Sequence, residues 1–288
     1  MKIHAKGFHG GKYQAYLCAG LVAGASAFVP GHILAQNITL NDGGSTAIIN
    51  PGSGTGALGM NTWSVNTDAQ NQLEQQWFWY SIDGQTVQAI NSISTKPTVS
   101  LNQADNDLTL TYANSQIAIS IEYTLLGSGS GSGSADISEG INIFNLSGST
   151  LTDVALFQYS HFNLLQSGNN SVYIASDPQT GVGFVSAEQT SGSSAIAEGI
   201  ISPDANAAEA GQASQTYSDV LAGTLNDNQV WGAGDAAWAF EWQTNIIAGG
   251  DFSIQKDKSL SIQMVPEPST MALVAMGLGA LGLLRRRQ

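Results

Sequence analysis

Asp107-Leu-Thr-Leu-Thr-Tyr-Ala113, Asn114-Ser115, Gln116-Ile-Ala-Ile-Ser-Ile-Glu-Tyr-Thr-Leu-Leu126 decides the fold of this 288-residue chain. Leu108, Leu110 and Tyr112 alternate with polar residues, and after an Asn-Ser turn so do Ile117, Ile119, Ile121, Tyr123 and Leu125. A period of two is the signature of a half-buried strand, and two such runs across a tight polar turn predict an antiparallel hairpin. Working outward, Ala135–Leu146 (Ile137, Ile141, Ile143, with Phe144) and Leu151–Tyr159 (Leu151, Val154, Leu156, Phe157) read as a second hairpin closed by Ser147-Gly-Ser-Thr150. Ser171–Ala175, Gly181–Ser186 and Ala195–Ile201 are shorter strands, and Ala236–Gln243 is expected to pair with Asp251–Met264 across Ala248-Gly249-Gly250. Gly127–Ser134 is four Gly-Ser repeats. Lying between two strong strands, it reads as a hairpin loop; a domain boundary there would leave unpaired edges. Pro203–Leu225 reads as a long loop with at most one helical turn, in Ala205–Ala213. The expectation is all-β: a single antiparallel β-sandwich with Gly/Ser-rich loops, residues 37–264, flanked by an N-terminal signal segment and a C-terminal membrane helix.

The flanks differ from this body. Lys2, Lys6 and Lys12 precede an uncharged, mostly apolar run, Tyr13–Val29, and then small residues at Ala25-Ser26-Ala27 and at Ala35 before Gln36. Residues 1–36 therefore read as a signal peptide, with cleavage after Ala35 favoured over the earlier site. The only cysteine, Cys18, lies in that leader, so the remaining domain has no disulfide, no zinc-thiolate site and no thiol nucleophile. His4, His9 and His32 go with it, leaving His161. Residues 37–264 hold three basic side chains (Lys96, Lys256, Lys258) against 21 acidic ones, a formal charge of −18. Nucleic acid and anionic lipid are poor partners for such a surface.

At the other end stand Val265-Pro266-Glu267-Pro268-Ser269-Thr270, the uncharged segment Met271–Leu284, and Arg285-Arg286-Arg287-Gln288. Fourteen residues of helix span about 21 Å, short of the ~30 Å hydrocarbon core. Extension through Ser269 and Thr270, snorkelling arginines and local thinning make up the difference. Arg285, Arg286 and Arg287 would act as a cytoplasmic stop, leaving Pro266, Glu267 and Pro268 outside as an extended, protease-readable segment. This order of parts resembles the PEP-CTERM sorting signal. The resemblance implies export, a transient inner-membrane anchor, and an exosortase-type processing enzyme as partner, in a Gram-negative bacterium that makes exopolysaccharide. Trp63 with Gln75–Tyr80, Leu108–Tyr112, Ile119–Leu125, Phe157–Tyr159 and Trp238–Phe240 also look like blocks of uncharacterised exported PEP-CTERM proteins, which bring no activity with them. His161-Phe-Asn-Leu164 after a strand is similar to a segment of the mutarotase-like supersandwich enzymes, whose further histidines are missing here.

Candidate chemistry in the body is sparse. Gln75-Gln-Trp-Phe-Trp-Tyr80 and Ala236-Ala-Trp-Ala-Phe-Glu-Trp242 are the aromatic runs, the second placing Trp238, Phe240 and Trp242 on one face. Such rows fill a core first and form a sugar-stacking platform second. Trp63 and Trp231, flanked by small polar residues, are the pair expected at the surface. His161 is the one base available for a Ser-His-Asp triad, and no Gly-x-Ser-x-Gly elbow accompanies it. Paired carboxylates for glycoside cleavage would come from Glu122, Asp136, Glu139 or Glu241. Asp105-Asn106-Asp107 and Asp42-Gly43-Gly44 offer oxygen ligands for calcium but lack the full loop pattern, and Asp and Asn favour turns anyway. No catalytic residue, metal site or cofactor is assigned. The favoured reading is a non-enzymatic exported protein of the cell surface or extracellular matrix. The alternatives are a carbohydrate-binding module for exopolysaccharide, using Trp63, Trp231, Trp238, Phe240 and Trp242, and a polysaccharide-active enzyme.

Overall fold

A computed structural model describes residues 36–52, 57–65, 70–129 and 131–263. Among them are seventeen strands in two antiparallel sheets. Sheet A runs, edge to edge, β1 (Ile38–Asp42), β2 (Ser45–Asn50), β3 (Gly59–Ser64), β4 (Leu73–Ser81), β10 (Leu151–Phe162), β16 (Ala236–Ile246) and β14 (Ala207–Gln212), with the short β5 (Gln88–Ala89) also on β4. Sheet B runs β15 (Val230–Gly234), β11 (Asn170–Ser176), β12 (Phe184–Ser191), β13 (Ser194–Ser202), β17 (Asp251–Ser261), β9 (Ser134–Asn145), β8 (Ile117–Gly127), β7 (Asp107–Ala113) and β6 (Thr98–Leu101). One continuous apolar cluster fills the space between them.

The opening hairpin is as expected: β7 and β8 pair with Leu108 opposite Tyr123, Leu110 opposite Ile121 and Tyr112 opposite Ile119. Their buried residues are the alternating set named above, with Ala118 in addition. Gly127–Ser134 closes the β8–β9 hairpin, as its composition suggests.

Two expected hairpins are not hairpins. β9 lies in sheet B and β10 in sheet A, and β16 lies in sheet A and β17 in sheet B, so Ser147–Thr150 and Ala248–Gly250 carry the chain between sheets. The physical reason is burial. β9 and β17 bury alternate residues, whereas Val154–Ser160 of β10 and Ala236–Phe240 of β16 are buried on both faces. Strands covered on both sides belong in the centre of a layered sheet, away from a partner with one wet face. Asn145, itself buried, ties the two crossings together. Its Nδ2 donates to the carbonyls of Ser149 (2.8 Å), Ile246 (2.8 Å) and Ile247 (3.0 Å), while Oδ1 accepts from Ser147 N and Oγ. At the opposite end of β8, Asp42 Oδ2 accepts the Gly127 N–H at 2.7 Å. A Cβ on Gly127 would stand 2.0 Å from Asp42 O, so only glycine permits that approach.

The stretch Pro203–Leu225 is also corrected. Ala207–Gln212 is a strand on β16, and a ten-residue helix, α1 (Ala213–Ala222), follows it. Ala213, Thr216 and Val220 make its buried stripe, and Gly223 in the left-handed region ends it. The Gly223 N–H bonds Val220 O and the Thr224 N–H bonds Asp219 O, the pairing of a Schellman stop. The helix lies over the outer face of sheet A, where Ala237 and Ala239 leave room for it and Tyr217 meets Trp79 and Tyr159 edge-on. No helix among the described residues is long and apolar enough to cross a membrane; Met271–Leu284 lies outside them, as do the leader, Pro266–Pro268 and Arg285–Arg287.

Asn145→Ala removes three donated hydrogen bonds at once and leaves carbonyls in the corner unpaired. Urea unfolding should show a loss of about 2–4 kcal/mol with an unchanged m-value.

Candidate functional site

Two lysines and two glutamates occupy the centre of the sandwich. β9 alternates Ile137, Glu139, Ile141; β13 alternates Ile196, Glu198, Ile200; β17 alternates Ile254, Lys256, Lys258, Leu260. In each strand the charge sits where the apolar inner residue belongs, so the pleat delivers all four side chains to the interior. All four are fully buried. Lys256 Nζ contacts Glu139 Oε2 and lies 3.2 Å from Glu198 Oε1. Lys258 Nζ lies 2.8 Å from Glu139 Oε1 and 3.2 Å from Glu198 Oε1. Sheet A completes the shell. Gln76 Nε2 donates to Glu139 Oε2 (3.1 Å), and Gln158 Nε2 and Trp238 Nε1 both donate to Glu198 Oε2 (2.8 Å each). The Lys256 ammonium also sits 5.3 Å from the centre of the Phe78 ring.

Burial alone would push the Glu198 carboxyl up. Lys256 and Lys258, with the bonds from Trp238 and Gln158, outweigh it and hold the group down at about 2. Burial pulls the Lys256 amine down to about 8 despite the glutamates, with Lys258 adding to the fall. For Lys258 the glutamates prevail over burial and its amine is raised. Burial, then Glu139, drive the Tyr123 phenol up. The oxygens of Gln76 and Gln158 and the Tyr123 hydroxyl are buried without a hydrogen-bond partner among the described residues.

The tryptophans expected as a sugar platform serve this interior. Trp63, Trp238, Phe240 and Trp242 are at most 1% exposed. Trp63 meets Phe162 edge-on and Phe162 stacks on Trp238 at 5.5 Å, so an aromatic line runs from β3 to the Glu198 carboxylate. Trp63 Nε1 donates to Ser45 Oγ, and Trp242 Nε1 to Pro203 O. Trp63, expected at the surface, is therefore core; Trp231 is half-buried on the edge strand β15 and packs against the same cluster. Trp63, Trp238, Phe240 and Trp242 have no open face to stack on a sugar.

The remaining candidates are dispersed. His161 Nε2 and Asp235 Oδ1 are 2.7 Å apart at the end of β10, which engages the nitrogen a triad would need. Glu122 is exposed and Asp136 half-buried on β8 and β9, while Glu139 is spent in the ion cluster. Asp42 holds Gly127, and in the Asp105–Asp107 turn Asn102 bonds the Asn106 and Asp107 side chains at 2.7 Å. Among the described residues no group of His, Cys, Asp and Glu has the makings of a metal site. Glu241 lies in a groove of about 440 Å³ on the outer face of sheet A, with Gln85, Asp153, Phe157, Leu221 and Gln243. Burial, and then Asp227, raise its carboxyl.

Residues 265–288 match the family description "PEP-CTERM protein-sorting motif". The chain carries a PEP-CTERM sorting signal. That signal marks an exported protein handled by an exosortase. No curated protein matches the PEP-CTERM chain. Among solved structures it is similar to a bacterial glucoamylase complexed with acarbose, at 11% identity and a TM-score of 0.55, over 84% of this chain and 36% of the other. A polysaccharide lyase (13%, TM-score 0.47, 80% and 33%) and a kojibiose phosphorylase from the human microbiome (11%, TM-score 0.41, 85% and 33%) also match. The chain thus spans about a third of each of these proteins, and the first likeness shows a shared fold.

Lys258→Met leaves two carboxylates against one ammonium in a dry interior and should cost about 3–5 kcal/mol in urea unfolding. Because the folded Glu198 carboxyl lies below its unfolded value of 4.5, its contribution is present above that pH and lost as pH falls toward about 2. An acid titration of stability should show a fall of about 3 kcal/mol from this group in that window.

Proposed function

We propose that this PEP-CTERM protein is a non-enzymatic passenger of the cell surface or extracellular matrix. The carrying observation is the sorting motif at residues 265–288. The leader would direct secretion, Met271–Leu284 would hold the chain in the inner membrane, and cleavage near Pro266-Glu267-Pro268 would release the β domain, residues 37–264. Arg285–Arg287 would keep the stop on the cytoplasmic side. The geometry supports a structural role, since most of the large aromatics and two of the three basic side chains of residues 37–264 are committed to the interior.

A second reading, carbohydrate binding, is supported by one surface feature. The groove on sheet A combines amide and carboxylate side chains (Gln85, Gln243, Asp153, Glu241) with the Leu221 edge of α1, the mixture that sugar hydroxyls and C–H faces require. It replaces the tryptophan platform as the surface to test.

Intact-mass measurement on protein from the producing cells checks the first reading: the mature chain should end near Pro266–Pro268, and a product still ending in Arg287-Gln288 contradicts processing. Glu267→Ala should accumulate the unprocessed form. For the second reading, affinity electrophoresis in the host's polysaccharide should show retardation that Glu241→Gln with Gln243→Ala reduces about tenfold; equal mobility with and without polysaccharide rules it out.

A further inference from the structure

The ion cluster sets a primary amine and a carboxamide on one carboxylate oxygen. Lys256 Nζ and Gln76 Nε2 both contact Glu139 Oε2, the carboxamide at 3.1 Å. We propose that Lys256 and Gln76 are the two halves of an intramolecular cross-link, an amide joining Lys256 Nζ to the Gln76 side-chain carbonyl carbon and formed in the folded protein with release of ammonia.

Each part of the reaction has a residue in the cluster. The nucleophile is an amine that burial has already made easier to deprotonate. The base is Glu139, in contact with it. The electrophile is the Gln76 carboxamide, whose nitrogen is held by that same base. Amides are poor electrophiles, but the step need run only once in each molecule, and one buried carboxylate oxygen holds the amine and the carboxamide side by side.

Atoms and charge balance without an added reagent. Glu139 takes one proton from the Lys256 ammonium, and the freed amine attacks the Gln76 carbonyl carbon. The C–N bond to Nε2 breaks as that nitrogen takes a second proton from the attacking amine, relayed by the same carboxylate, and ammonia leaves. Glu139 ends protonated and the new amide keeps one hydrogen. An ammonium and a carboxylate become a neutral amide and a neutral acid, so the remaining Lys258–Glu198 pair is still balanced. The other lysine is not equivalent. Lys258 meets Glu198 through Oε1 while Gln158 donates to Oε2, and no single oxygen brings an amine and an amide together there.

The link would join β4 of one sheet to β17 of the other. In a domain without cysteine once the leader is gone, it would do what a disulfide does, constraining the unfolded chain across a long loop.

The test is peptide-level mass spectrometry of the full chain purified folded and then denatured and digested. Fragmentation should reveal one species joining the Gln76 and Lys256 peptides, about 17 Da lighter than the two together, the mass of ammonia. Glu139→Gln should abolish it. Lys256→Arg, which keeps the charge, should also lack it and serves if the first variant does not fold. Separate unmodified peptides from the wild type overturn the proposal. So does a species about 18 Da lighter joined at Glu139, because that is loss of water to a different partner. Persistence of the joined species in Glu139→Gln overturns the assigned base.

Discussion

Four opposite charges in the dry space between two sheets are the constraint on which this structure turns. Desolvating Glu139, Glu198, Lys256 and Lys258 is costly, and their mutual attraction offsets that cost only if all four meet with their remaining groups satisfied. All four meet in one arrangement: β9, β17 and β13 adjacent in sheet B, with Gln76, Gln158 and Trp238 of sheet A supplying donors, while the Gln76 and Gln158 oxygens have no partner among the described residues. A one-residue slip of β17 would send both lysines to the outer face and bring Gln255 and Asp257 inward, leaving the glutamates buried without cations. The cluster therefore works less as a store of stability than as a specification of register and of which faces meet.

The ends of the sandwich extend the same logic with uncharged groups. Asn145 gathers three carbonyls where the chain twice changes sheet, and Asp42 holds Gly127 where the opposite corner closes. Between them the aromatic line from Trp63 through Phe162 to Trp238 couples packing in sheet A to the Glu198 carboxylate. These devices suit an exported chain whose single cysteine can form no internal disulfide. The sorting signal gives the address, while the polar interior gives the cargo one defined fold.

Much of this was legible in the residues. Alternation in Asp107–Leu126 gave strands, register and buried faces together, because there one face is core and the other solvent. The turns at Ser147–Thr150 and Ala248–Gly250 misled because Gly and Ser suit a crossing between sheets as well as a hairpin. The distinguishing signal lay beside them, in the unbroken apolar run Val154–Phe157 against Ile137, Ile141 and Ile143, which keep to every second position. Helix α1 hid in a polar stretch, since only Ala213, Thr216 and Val220 need be buried, though Gly223 marked its end. The ion cluster was also written in the pattern: Glu139, Glu198, Lys256 and Lys258 interrupt alternating isoleucines at inner positions. A charge there is easily read as a break in the strand. Which tryptophans face solvent was not legible, because small polar neighbours around Trp63 describe an edge and a core position equally well.

Amide hydrogen exchange of the folded domain tests the keystone role most directly. If the cluster organises the fold, amides of β9, β13 and β17 flanking Glu139, Glu198 and Lys256 should exchange only by global unfolding, while the edge strands β1, β6 and β15 open locally and faster. Exchange at the centre as fast as at those edges would contradict it.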